Sequence, residues 1–224
     1  MTFQVAHAKA MIQEPAHTGR ATKYLLQPLY QRLIRLDITR PPSGQVPLAA
    51  GDERTLDAAN LGDLVPALAT EALALPYLRS ILSSNEKRYP DGITIIHEHP
   101  YLFWTPSEAH YRSGAAHLHQ LEDSTNTQAP TSHGMLTHFA RELEALPGKE
   151  WTPERIGSLL SGVVGSVAHL SERAAYNVLR VAVAGDCIGG SWATKRLLPV
   201  LGKEETMRRF KILERTMVGE RTVA

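Results

Sequence analysis

A glycine-rich turn, a set of histidines, a lone cysteine and a pair of glutamates each invite a chemical reading. Val181-Ala-Val-Ala-Gly185-Asp-Cys-Ile-Gly189-Gly190-Ser191 looks like a strand running into a glycine turn, where backbone N–H groups and a helix N-terminus would meet a phosphate. The spacing is neither GxGxxG nor GxxxxGK followed by Ser or Thr, and no lysine stands where one would reach the phosphates, so a helix connection is expected instead. Ten histidines invite a metal reading. His97 and His99 flank Glu98, and His110, His117 and His119 share one expected helix. His110 and His117 lie on one face, while His119 points away, and neither HExxH nor a cysteine pair is present. No metal site is therefore expected. Cys187, the single cysteine, has no base beside it in the sequence and excludes an internal disulfide. Glu204-Glu205 reads as an acidic first turn complementing a helix dipole. No acid, base and nucleophile assemble, so no catalytic residue is assigned.

The cations remain. The 24 Lys and Arg against 23 Asp and Glu leave a net charge of +1. Its distribution is uneven. Residues 1–45 hold 6 basic and 2 acidic groups, residues 46–170 hold 8 and 15, and residues 171–224 hold 10 and 6. A basic final quarter on a near-neutral chain is an electrostatic footprint for a polyanion, or else a solvated helical face.

The elements that must position these groups read as helices almost throughout. Tyr24 to Leu36 places Leu25, Leu29, Leu33 and Leu36 on one face, with Pro28 early enough for a first turn. Pro41, Pro42, Gly44, Pro47 and Gly51 make Asp37–Gly51 a loop. A second helical run is expected over Leu61–Leu75, and Pro76 is expected to open the next helix, toward Arg88. Tyr89-Pro90-Asp91-Gly92 is turn chemistry. Ile93–Ile96 is β-branched like a strand but lacks a partner, so a helix or irregular segment is expected there. Ser107 caps an expected helix over Glu108–Leu121, and Asp123–Gly134 reads as a polar loop. Met135, Leu136, Phe139, Leu143 and Leu146 form a stripe ended by Pro147-Gly148. Thr152-Pro153-Glu154 opens another helix, Gly185 and Gly202 punctuate two more pieces, and Lys203–Met217 closes the chain. Pro199 is expected to break or kink its helix.

Composition is globular, with 43% hydrophobic and 21% charged residues. No run of about 18 apolar residues suggests a membrane span. Met1–Arg20 lacks the apolar core of a secretory signal. It holds one acid, Glu14, and carries Lys9 and Arg20, which is compatible with an organellar transit peptide. The expected location is the mitochondrial matrix, with the cytoplasm as the alternative. The expected fold class is all-α, a helical bundle or cage in three parts: a helical linker at 1–52 and two small helical subdomains at 53–133 and 134–224.

Four local patterns occur in a fixed order: Arg88 followed by Tyr101-Leu102-Phe103; Glu150-Trp151-Thr152 before a helix; Leu179-Arg-Val-Ala-Val-Ala-Gly185; and Leu201-Gly-Lys-Glu-Glu-Thr-Met-Arg-Arg209. Together they resemble the C-terminal anticodon-binding region of bacterial and organellar glutamyl-tRNA synthetases, over roughly residues 76–217. The resemblance implies an all-helical cage of the class I aminoacyl-tRNA synthetase type. Its partner would be the anticodon arm of tRNA-Glu, in glutamyl-tRNA aminoacylation. The HxGH and KMSKS signatures of that family's catalytic domain are absent here, so ATP, Mg and glutamate chemistry is not expected of these residues and no cofactor is assigned to them. A separate catalytic half is a second expected partner.

In the family, an arginine at the position matching Arg88 favours the cytosine of glutamate anticodons. Its rigid fork of donors suits the O2 and N3 acceptors of that base. Lys87 adjoins it as a further anticodon contact. Arg180, Lys203, Arg208 and Arg209 are candidates for phosphate contacts, or for helix C-terminal and surface charges. The alternative function is a helical protein-interaction module that docks on a separate catalytic half and has lost RNA binding. A monomer without membrane association is expected.

Overall fold

The computed structural model describes residues 18–49, 53–84, 91–123, 131–166, 172–186 and 194–221. The transit-peptide reading, Lys87, Arg88, Cys187, the Gly189-Gly190-Ser191 turn and most of the expected loop at 123–134 lie outside those residues. The architecture is all-α with two two-stranded sheets added. The chain divides into two units, Met1–Thr105 and Pro106–Ala224.

The first unit opens with a helical turn at Thr18–Ala21, a π-helical stretch at Thr22–Leu26 and helix α1 at Gln27–Thr39. Pro28 explains the widened turn. It has no N–H to give and its ring crowds the carbonyl four residues back. The ladder opens to i→i−5 just before it, with Gln27 N–H donating to Thr22 O. The extra residue shifts the apolar phase. Leu26 takes the core position expected of Leu25, and Leu29, Leu33 and Leu36 follow as expected.

The proline-rich stretch expected to be loop contains β1, Gln45–Pro47. It pairs antiparallel with β2, Thr55–Asp57, so that Val46 and Leu56 face each other and are both buried. The helix expected over Leu61–Leu75 is not formed. In its place stand β3 at Leu61–Leu64, a 3₁₀ turn at Pro66–Leu68 and then α2 at Glu71–Ser84. Pro66 forces Val65 into extended backbone, at φ −61° and ψ 141°. Val65 N–H then donates to Phe103 O at 2.9 Å. Pro76 lies inside α2 on its exposed side and does not open a helix.

Ile93–Ile96 is helical, within α3 at Gly92–Glu98. Asp91 caps α3 by accepting from Thr94 N at 2.7 Å. A 3₁₀ turn at Pro100–Leu102 leads into β4, Trp104–Pro106, which pairs with β3. Tyr77 OH donates to Leu102 O at 2.6 Å, and Trp104 Nε1 donates to Asp37 Oδ1 at 2.8 Å.

The second unit holds α4 (Glu108–Asp123), α5 (Ser132–Ala145), α6 (Pro153–Ser166), α7 (Glu172–Ala184), α8 (Thr194–Leu201) and α9 (Lys203–Arg221). Hydroxyl caps start three of them. Ser107 Oγ accepts from His110 N, Thr131 Oγ1 from Gly134 N, and Thr152 Oγ1 from Arg155 N. Gly185 and Gly202 stop two, at φ 85° and 80°. Pro199 stands inside α8, an eight-residue helix that ends two residues later.

Helix α9 packs against α4, α5 and α7, so Phe210, Leu213 and Met217 share a core with Tyr111, Phe139 and Val178. Because α4 packs on α7 and α9, it groups with the second unit. The sequence-based boundaries instead fell after 52 and 133. The β1–β2 pairing likewise spans the expected boundary at 52.

Candidate nucleic-acid interface

The last turn of a helix leaves its carbonyls without intrahelical partners. In the second unit, three such ends are satisfied by side chains from other elements. Lys203 Nζ donates to Glu144 O and Leu146 O, both at 2.7 Å, at the end of α5. Trp151 Nε1 donates to Leu198 O at 3.0 Å in α8. At the end of α7, Tyr111 OH donates to Ala182 O at 3.1 Å and one Arg209 NH group donates to Val183 O at 2.5 Å.

The α7 end is also a tight crossing. A Cβ on Gly114 would run into Gly185 O and come within 2.7 Å of Val181 Cγ1. A Cβ on Gly185 would strike the His110 ring. Glycine at both positions lets α4 reach the C-terminus of α7. The His110 ring lies beside that end, with its Nε2 3.4 Å from Asp186 Oδ2.

Glu205 is the hinge of the polar network. Its Oε1 accepts from Arg209 Nε at 2.6 Å and from Arg208 NH2 at 3.1 Å, and its Oε2 accepts from Arg208 Nε at 2.8 Å. Burial alone would raise its pKa. The Arg209 charge and the hydrogen bonds from Arg208 and Arg209 outweigh it, so the carboxyl lies below its ordinary value. Burial pushes the Tyr111 phenol far above its ordinary value, which keeps it a donor.

The expected contact residues therefore divide. Arg209 is fully buried and consumed by Glu205 and Val183, so a phosphate contact is withdrawn for it. Lys203 spends its ammonium on the α5 carbonyls, the helix C-terminal role. Arg208 is 38% exposed, and its fork is oriented by Glu205. Arg180 is half-buried on α7, seven residues and two turns from the exposed Arg173. Arg88 and Lys87 follow α2 in sequence, before the Asp91 cap, outside the described residues.

Sequence reasoning missed the carbonyl-binding roles of Trp151 and Tyr111, and took Glu205 for a dipole charge. The spacing of Glu205 with Arg208 and Arg209, i,i+3 and i,i+4, was the available signal. Among the described residues no group of three His, Cys, Asp or Glu could hold a metal ion, and no helix is long and apolar enough to cross a membrane.

Arg173 on α7 and the partly exposed Arg208 on α9 give this helical unit a basic surface of the kind a polyanion complements. Residues 104–213 match the model of the family described as the anticodon binding domain, which supports an anticodon-binding region of a tRNA synthetase here. The match begins at β4 and covers the second unit into α9. No curated protein matches the chain.

Proposed function

We propose that the chain is the anticodon-binding part of a glutamate–tRNA ligase acting on tRNA-Glu. In this reading, ATP, Mg and glutamate are handled by a catalytic half outside these residues. The observation that carries the reading is the anticodon-binding match over 104–213. The glutamyl assignment rests on the Leu179–Gly185 and Leu201–Arg209 patterns. Arg180 and Arg208 make phosphate contacts, Lys87 assists, and Arg88 reads the cytosine that ends the glutamate anticodon. The mitochondrial matrix is the proposed compartment.

The test is fluorescence anisotropy of a labelled tRNA-Glu transcript titrated with the full chain at several salt concentrations. With about 3 to 5 phosphate contacts, log K against log salt should fall with a slope of about −2 to −4. A transcript with an unrelated anticodon should bind more weakly. Arg88→Gln should cost about 1–3 kcal/mol on loops ending in cytosine, by analogy with bidentate base contacts, and little on loops ending in guanine. Equal loss on both loops would make Arg88 a general phosphate contact. No binding at low salt would remove the RNA reading altogether.

A further inference from the structure

The first helix presents an exposed row that neither the anticodon-binding match nor the family motifs touch. Along residues 18–39 the exposed positions include Arg20, Lys23, Tyr24, Gln31 and Arg35, with Pro28 between them and Ile38, 77% exposed, beyond them. At ~1.5 Å per residue, Arg20 to Arg35 spans about 22 Å. The only acid in the segment is Asp37, and it is engaged elsewhere: Asp37 Oδ1 accepts from Trp104 Nε1 at 2.8 Å and lies 3.6 Å from Arg40. The π turn ahead of Pro28 leaves Lys23 and Tyr24 side by side at the surface. Tyr24 is 52% exposed, unusual for a large aromatic, and Lys23 Nζ lies 5.5 Å from its ring centroid. The turn is held from α2, where Arg79 NH2 donates to Thr22 Oγ1 at 3.4 Å.

We infer that this row is a second RNA-binding surface, with Tyr24 as a stacking platform for an unpaired base and Arg20, Lys23 and Arg35 as contacts to the phosphates around it. The inference rests on the proposed RNA-binding function and extends it to a unit that the family match leaves out. A row of cations free of exposed acids complements a polyanion. An exposed ring beside a cation is the pairing that single-stranded nucleic acid uses, since every base has a π face and carries a phosphate.

The test uses the full chain and the labelled tRNA-Glu transcript. The triple variant Arg20→Gln, Lys23→Gln, Arg35→Gln should flatten the salt slope by about 2, at ~0.7 per single-strand phosphate, and weaken binding about 100-fold at 0.1 M salt on that slope. Tyr24→Ala should weaken it about 5- to 160-fold, while Tyr24→Phe, which keeps the ring, should bind like the parent. All four positions are exposed, and the salt slope does not depend on the fraction of chain that is folded. If the parent chain binds no tRNA, the RNA function fails and this surface with it. If the parent binds and the variants match it in slope and affinity, the inference alone is overturned.

Discussion

The two units tie their irregular ends together differently. In the second unit the ionic link is sunk below the surface: Arg209 is 0% and Glu205 7% exposed, and their bonds run to a helix end on another element. In the first unit the comparable link is Arg54 with Asp91, each 30% exposed, holding the start of a seven-residue helix. A buried ion pair has no water to replace a lost partner, whereas a surface pair does. A change at Arg209 or Glu205 is therefore costly, while one at Arg54 is cheap. The letters that make the second unit recognisable are, in good part, its caps: Trp151, Gly185, Lys203, Glu205 and Arg209. In this chain these residues hold the scaffold together: Trp151, Lys203 and Arg209 donate to helix-end carbonyls, and Glu205 orients the two arginines beside it.

The largest effect that follows is for Arg209→Ala. It removes the donor to Val183 O and the buried arginine partner of Glu205. Breaking a buried pair from one side costs about 3–5 kcal/mol. Urea unfolding of the variant, with hydrogen exchange followed in α7 and α9, measures it. A loss under about 1 kcal/mol would mean that the buried link is no stronger than a surface pair, and the contrast between the units would collapse.

Legibility in the sequence follows the same division. The helix starts at Ser107 and Thr152 and the stops at Gly185 and Gly202 were readable, because caps are local chemistry. The strands were not. Val46 finds Leu56 ten residues away across a chain reversal, and β3 finds β4 some forty residues on, so neither pairing shows as a local periodicity. Leu61, Leu64, Leu68 and Leu75 fit a helical period, yet Pro66 overrides it. For the site, charge type was legible and burial was not. Arg208 and Arg209 are neighbours in sequence, but one turns toward solvent and the other into the core. Only the packing of α9 on α4 and α7 decides which is which.

Acid should sharpen the comparison with a smaller effect than deletion, because a protonated Glu205 still accepts one hydrogen bond. Its folded-state pKa is depressed, so its stabilisation is present above the unfolded value of ~4.3 and is lost as pH falls through the folded value. Asp91 shifts the same way: burial raises it, and the Thr94 and Arg54 bonds more than compensate. Stability should therefore fall as pH drops below about 4 in both units. The loss should resist added salt in α9, where the pair is buried, and shrink with salt at α3. Hydrogen exchange at pH 3 to 5, with and without 1 M NaCl as about a 3 Å screening length, separates the two. Equal salt sensitivity in α3 and α9 would count against the burial argument.

The smallest effect belongs to Arg54→Gln. Arg54 reaches Thr94 Oγ1 at 2.7 Å and Asp91 Oδ1 at 3.3 Å, with a longer contact of 3.5 Å to Oδ2. Without it, Asp91 still accepts from Thr94 N at 2.7 Å and from Thr94 Oγ1 at 2.9 Å, so the cap on α3 survives. Water can solvate the carboxylate face that Arg54 leaves. The expected cost is that of an exposed pair, about 0.2–1 kcal/mol, against about 1 kcal/mol for Asp91→Ala, which removes the cap itself. The measurement is hydrogen exchange at the Ile95 to Glu98 amides in parent, Arg54→Gln and Asp91→Ala. A cost for Arg54→Gln equal to that of Arg209→Ala would show that surface exposure gives this clamp no relief. The distinction drawn between the two units would then have to rest on something other than burial.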